Sequence, residues 1–281
     1  MFRNKIIEIK MLIEKLKTVY TKMFKDKLDV LQIAIDDTRS RIDLDENIIS
    51  VFYQAKKTPR YQSVFDKKDP LISVCIGTYN RAELLVERSL KSILNQSYSN
   101  LEIIVVGDHC TDDTERLVLD IKDPRIKFKN LSRRGNYPEN PDFRWMVAGT
   151  DTVNYALGIA KGDFITHLDD DDEHLPDRIE KLVKFIQENR ADFIYHPFYR
   201  EDKNGKWCIN HALELMIGCV STSSIFYHRW FCKIPWDINA YKYHEPGDWN
   251  RLRKIRYLHP RALRFPEPLL KHYKQRTQID K

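Results

Sequence analysis

The sequence predicts an α/β protein: a Rossmann-like, mainly parallel sheet with helices on both faces, preceded by a helical extension. Two observations predict it, and a third narrows its function. Short, wholly apolar runs such as LISVCI (71–76) and LEIIVV (101–106) alternate with helix-length amphipathic stretches, the pattern of strands buried on both faces by crossover helices. Each run gives way directly to glycine and polar residues, where a chain leaves a sheet. No GxGxxG comes after the first strand, so the dinucleotide fingerprint is absent.

In chain order, residues 1–27 read as an amphipathic helix with a heptad seam of Phe2, Ile6, Ile9, Ile13, Leu16, Tyr20 and Met23 and a basic remainder. Three readings stay open for it: packing on its own domain or a neighbouring subunit, a short coiled coil, or a basic helix lying on an anionic bilayer. Residues 28–35 are a strand or a continuation of that helix, and 47–55 are helical. Residues 56–70 (KKTPRYQSVFDKKDP) are charged, proline-punctuated and without a period, which reads as a linker. The domain boundary falls near Asp69-Pro70, dividing an extension over 1–68 from a domain over 69–281.

Within that domain the expected order is strand 71–76, the turn GTYNR, helix 82–96, strand 101–106, helix to about 121 and strand 125–131. An irregular stretch, SRRGNYPENPDFRWMVAGTD, leads to helix 152–162 and strand 163–168. After the acidic run come helix 177–189, opened by Pro176, and strand 191–198.

Formal net charge is +6, from 47 Lys+Arg against 41 Asp+Glu, an excess too mild to demand a nucleic-acid partner. Five cysteines without a CxxC pair argue against a disulfide framework or zinc site and for a reducing compartment. No apolar run approaches the roughly 20 residues of a membrane helix, and charges interrupt any signal-peptide core. A cytoplasmic location is expected, peripheral at the inner face of the membrane if the first helix binds lipid.

Ligands of an open parallel sheet bind beyond the carboxyl ends of its strands. Three polar clusters fall there: Gly77, Thr78, Tyr79, Asn80 and Arg81; Gly107, Asp108 and His109; and the run Asp169, Asp170, Asp171 and Asp172. Two carboxylates of an Asp-x-Asp unit can hold a divalent ion through hard oxygen ligands, with a diphosphate completing the shell. The bland alternative is a solvated loop capping the Pro176 helix. Asp108 can accept the ring N–H of a pyrimidine base, or merely cap the next helix. Asp248, in HEPGDWNRLRKI, is a helix cap or a base facing the metal site.

The segments LISVCIGTYNRAELLVERSLKSILNQSYSNLEIIVVGDHCTDDT, NYALGIAKGDFITHLDDDDEHLPDR and HEPGD together resemble the family 2 glycosyltransferases, of GT-A fold, over roughly residues 71–275. That resemblance implies a nucleotide-diphospho-sugar donor, UDP- or dTDP- favoured, and a glycan or glycolipid acceptor in cell-surface polysaccharide synthesis. It implies Mn2+ or Mg2+ and inversion at the anomeric carbon. By position, Thr78, Tyr79, Asn80, Arg81, Asp108 and Asp170 would bind the donor. Asp169, Asp171 and His272 would hold the metal, with Asp169 also against the donor. Asp248 would deprotonate the acceptor, and Asp172 and Glu173 would cap or support. The chain departs from the family pattern at Gly107, where an acid is usual, and at Thr152-Val153-Asn154, where an arginine is missing; Arg133, Arg134 or Arg144 would replace it. The competing classes are a sugar nucleotidyltransferase, for which GTYNR is a poor phosphate loop, and a non-catalytic nucleotide-sugar-binding protein.

Overall fold

The computed structural model describes Lys25 and residues 27–274, so the expected 1–27 helix lies almost wholly outside the described residues. The chain divides into two compact units, 1–47 and 48–281. In the first, residues 27–43 form one helix, α1, which settles the strand-or-helix alternative over 28–35. The Ser40 hydroxyl donates to the Asp36 carbonyl one turn back.

The second unit opens with α2 (Ile48–Lys56) and α3 (Pro59–Gln62), the latter started by Pro59 and a Thr58 cap. Phe52 and Tyr61 are buried. Tyr61 stacks on the His228 ring with centroids 3.7 Å apart and donates to Asp192 at 2.6 Å, and Lys56 reaches the same carboxylate. The compact unit therefore begins upstream of Asp69-Pro70. The stretch from 56 to 70 lacks a period because it crosses the sheet's flank as short turns, each burying one aromatic ring.

The main sheet has seven strands: β1 (Ile72–Thr78), β2 (Leu101–Gly107), β3 (Ile126–Asn130), β4 (Phe164–His167), β6 (Phe193–Tyr195), β9 (Ile225–His228) and β10 (Ala262–Arg264). Their order is β10-β6-β9-β4-β1-β2-β3. β1 pairs in parallel with β2 and β4, and β2 with β3. β9 enters antiparallel between β4 and β6. A smaller sheet is built from β5 (Glu173–His174), β7 (Phe198–Glu201), β8 (Trp207–Asn210) and β11 (Leu270–His272), in the order β5-β11-β7-β8.

Two sequence expectations change here. The run 191–198 is two strands in two sheets, because Pro197 has no N–H to donate and the ladder breaks there. The antiparallel strand β9 carries no clear signal of its own: IFYH comes after a serine-rich turn and looks like a short core segment until β4 and β6 flank it.

The helix after β1 runs as α4 (Ala82–Leu84), a π turn (Leu85–Leu90) and α5 (Lys91–Leu94). Then come α6 (Thr114–Asp120), α7 (Pro141–Val147), α8 (Thr150–Ile159), α9 (Arg178–Asn189) and α10 (Gly247–Tyr257). α7 lies inside the stretch expected to be irregular; Asn140 caps it by accepting the Asp142 and Phe143 N–H groups. α9 buries Ile179, Leu182, Val183 and Ile186, the stripe its sequence carries. Each such side chain contributes about 1.5–3 kcal/mol by burial.

Candidate active site

β1, β2 and β4 run parallel, so their carboxyl ends deliver Thr78, Asp108 and the acidic run to one edge. A cleft of about 970 Å3 opens there. Thr78, Tyr79, Arg81, Asp108, Asp169, Asp170, Asp171, Asp248 and His272 all line it. Of the residues expected to bind donor or metal or to take the acceptor proton, only Asn80 is absent from this lining. Its backbone is left-handed (φ 49°), and its amide clips two loops together, accepting the Thr111 N–H at 2.8 Å and donating to the Thr111 hydroxyl at 3.2 Å.

The acidic run divides by partner. The Thr78 hydroxyl donates to Asp170 Oδ2 at 2.8 Å. The Arg81 guanidinium donates to Asp170 Oδ1 at 2.9 Å and to Asp171 Oδ2 at 3.0 Å, standing where a cation is wanted. Burial pushes the Asp170 carboxyl up to about 6, against the opposing pull of Arg81. Asp169 faces the other way. Its carboxylate, that of Asp172 and the His272 ring bring their ligating atoms within 4.8 Å of one another. Burial first, then Asp172 and Asp171, push the Asp169 carboxyl well above the usual carboxylate range. Asp172 accepts from His272 Nδ1 at 2.9 Å; against the cost of burial, this bond and the neighbouring acids push the imidazole up to about 9.

Several residues that hold this loop have no sequence signal beyond helix periodicity. The π turn after β1 aims Arg88 and Ser89 at the run. Arg88 donates to the Asp171 carbonyl at 2.7 Å, and Ser89 to the carbonyls of Asp169 and Asp172 at 2.9 and 3.0 Å. Inserted π turns of this kind recur at functional sites. Ser223, on the turn before β9, accepts the Asp169 N–H at 2.9 Å.

Asp108 is 3% exposed, and a loop from the 132–140 region closes over it. It accepts the Gly135 N–H at 3.0 Å; Tyr137 also hydrogen-bonds to it, and Arg134 stands 3.9 Å away. Burial nevertheless raises its carboxyl. The Arg134 guanidinium lies 3.6 Å over the Tyr79 ring. Of the three candidate substitutes for the family's missing arginine, Arg134 and Arg144 line the cleft. The departure at Gly107 has a packing reason: a Cβ there would lie 2.7 Å from Asn130 Oδ1, which accepts the Cys110 N–H.

Asp248 stands in the first turn of α10, where the helix dipole favours an anion. It accepts the Trp249 N–H at 2.6 Å and faces the Thr222 hydroxyl at 3.4 Å. Burial is the largest cause that raises its carboxyl. The helix start is anchored by Glu245, which takes the Arg253 guanidinium at 2.9 Å and the Asn250 amide at 2.8 Å.

A mixed sheet with an acid-lined cleft at the carboxyl ends of its parallel strands defines a GT-A glycosyltransferase fold. The family model described as glycosyl transferase family 2 matches residues 73–140 and 148–258, more than half of the chain, and the chain belongs to that family. Among curated relatives it is 37% identical to a GalNAc(5)-diNAcBac-PP-undecaprenol β-1,3-glucosyltransferase of Campylobacter jejuni, over 43% of this chain and 36% of the relative. It is 34% identical to the UDP-Glc:α-D-GlcNAc-diphosphoundecaprenol β-1,3-glucosyltransferase WfaP of Escherichia coli, over 47% of each. These matches span less than half the length of the relatives. Among solved structures, Staphylococcus aureus TarS in complex with UDP superposes with a TM-score of 0.57 at 18% identity, covering 72% of this chain and 60% of that one. The mannosyltransferase PcManGT of Pyrobaculum calidifontis, in complex with GDP-Man and Mn2+, gives 0.54 at 16% identity over 89% and 69%. At these identities the structural likeness speaks for the fold.

Proposed function

We propose that the chain is an inverting glycosyltransferase. It moves a sugar from a nucleotide-diphospho-sugar, UDP- or dTDP-linked in preference, to a hydroxyl of a glycan or glycolipid acceptor. The observation that carries this reading is the convergence of Thr78, Asp108, the acidic run, His272 and Asp248 on one cleft. Relatives that act on undecaprenol-linked glycans support the acceptor class.

Asp108 and Tyr79 serve the base, with Arg134 beside both, and Thr78 and Asp170 serve the ribose side. The donor set of carboxylates and one imidazole suits Mn2+ or Mg2+, and a divalent cation would offset the burial and the neighbouring acids that raise the Asp169 carboxyl. Asp169, Asp171 and His272 would hold the ion, and it would supply charge neutralisation for the departing diphosphate. Arg81, beside Asp170 and Asp171, would be near the same diphosphate.

Asp248 takes the acceptor proton. Its carboxyl, raised by burial, is a better base than an exposed aspartate once ionised. An acceptor oxygen deprotonated by Asp248 would attack opposite the departing diphosphate, a single displacement that inverts the anomeric carbon. The test is turnover of a panel of UDP-, dTDP- and GDP-sugars with Mn2+. Loss of turnover in both Asp171→Ala and Asp248→Asn supports the assignment, and wild-type turnover in both overturns it. Among the described residues no helix is long and apolar enough to cross a membrane, and membrane contact through residues 1–27 is a proposal, tested by liposome binding of the chain with and without them.

A further inference from the structure

The acidic run holds one member that the chemistry above does not use. Asp172 is fully buried, and both its oxygens are engaged: Oδ2 by His272 Nδ1 at 2.9 Å and Oδ1 by the Tyr273 N–H at 3.1 Å. The pairing is built by strand register. β5 and β11 run antiparallel with Lys271 opposite Glu173 and Leu270 opposite His174. The next rung outward sets His272 against Asp172. Around it, Ser89 fixes the Asp172 carbonyl, Tyr273 donates to Glu173 at 2.8 Å, and the Arg88 guanidinium lies 3.7 Å over the Tyr273 ring. The Phe198 ring packs edge-on against the imidazole, with centroids 5.8 Å apart.

An imidazole that gives its Nδ1–H to a carboxylate is held in one ring orientation with Nε2 toward the cleft, and Nε2 is the nitrogen left to ligate once a cation displaces its proton. His272 Nε2 has no hydrogen-bond partner among the described residues, and the residue lines the cleft. We propose that Asp172 is a positioning residue: it holds His272 so that Nε2 meets the divalent cation, and it is not itself a ligand. This inference rests on the metal assignment above. The separation of tasks is chemical. Asp169 and Asp171 bring charge that the ion sees directly, whereas Asp172 commits both oxygens to β11 and the residue after it, and acts on the ion through the ring.

The test is Mn2+ binding to the full chain without donor, read by electron paramagnetic resonance of the free ion, for wild type, Asp172→Asn, Asp172→Leu, Asp169→Ala and His272→Ala. An Asn side chain keeps an acceptor for Nδ1–H but carries no charge. Asp172→Leu is expected to weaken Mn2+ about 10- to 100-fold, the usual cost of losing an outer-shell partner. Asp172→Asn is expected to stay within about fivefold of wild type. A melting curve on each variant checks the fold, and the isosteric Asn form serves if the Leu form does not fold. In that case the Asn form is loaded with Co2+, whose visible spectrum is expected to keep the nitrogen-ligand band of wild type; loss of that band overturns the proposal. Loss of Mn2+ by Asp172→Asn as complete as by Asp169→Ala makes Asp172 a ligand and overturns it too. Wild-type affinity in Asp172→Leu, with affinity lost in His272→Ala, overturns it as well. Wild-type affinity in His272→Ala removes the metal assignment beneath it.

Discussion

The Thr78 hydroxyl donates to the Asp170 carboxylate at 2.8 Å, across 92 positions of sequence and one pair of adjacent parallel strands. Both groups are buried, so the bond fixes the start of the acidic run on the β1 loop before any ligand arrives.

Thr78→Val removes that donor at constant shape and leaves a buried carboxylate with one partner fewer. The expected cost is about 1–3 kcal/mol, read as a lower urea midpoint with unchanged slope. Thr78→Ser is expected to restore most of it. An unshifted midpoint for the Val form would show the bond to be dispensable.

The acidic run is built at the expense of stability. Asp169→Asn removes a carboxyl whose ionised form burial and the neighbouring acids disfavour, and should raise the melting temperature of the metal-free chain. The same change should abolish the rise in melting temperature that Mn2+ gives wild type, since an ion that binds only the native state stabilises it in proportion to its saturation. A variant that melts lower without metal would contradict this account of the Asp169 carboxyl.

Asp248→Asn keeps the hydrogen bond to Thr222 or Trp249 but cannot take a proton. Turnover is expected to fall by about 10²- to 10⁴-fold, with donor binding within a fewfold of wild type. The raised carboxyl also sets a sign for pH. The base works only when ionised, so kcat should rise with pH through a pKa above the ordinary aspartate value and then level off. A flat acidic limb would remove Asp248 from the role.

His228 is a buried histidine held neutral: its Nδ1 accepts the Trp230 N–H at 3.0 Å and its Nε2 meets the Tyr61 carbonyl at 3.3 Å. Burial pushes its pKa down to about 4. Between about 4 and 6.5 the unfolded chain binds a proton that the folded chain refuses, so stability is full above that window and is lost as pH falls through it. Comparison with His228→Gln isolates this residue from the other buried groups. The wild-type melting temperature should drop further than the variant's between pH 7 and pH 5. Parallel drops would assign the acid sensitivity elsewhere.

Much of the site is legible in the sequence because its parts are local. LISVCI, LEIIVV and DFITHL announce buried strands by their own apolarity, and the residues next in the chain after each strand necessarily lie at the sheet's ligand-binding edge. Thr78, Asp108 and the acidic run are therefore expected together from strand order alone. The late histidine at 272 rests on resemblance, since nothing in LLKHYKQRTQ points to a metal.

What the sequence by itself determined is the parallel strands β1, β2 and β4, the residues that end them, and hence the identity of the cleft. The tertiary structure decided which carboxylate faces which partner. Arg81 stands against Asp170 and Asp171; Asp172 meets His272 only because β5 and β11 pair in one register; Asn80 turns away to clip Thr111; and the 134–137 loop covers Asp108. Periodicity encodes burial along a segment, but a side chain's partner depends on how segments distant in sequence are registered, and that information exists only once they have packed.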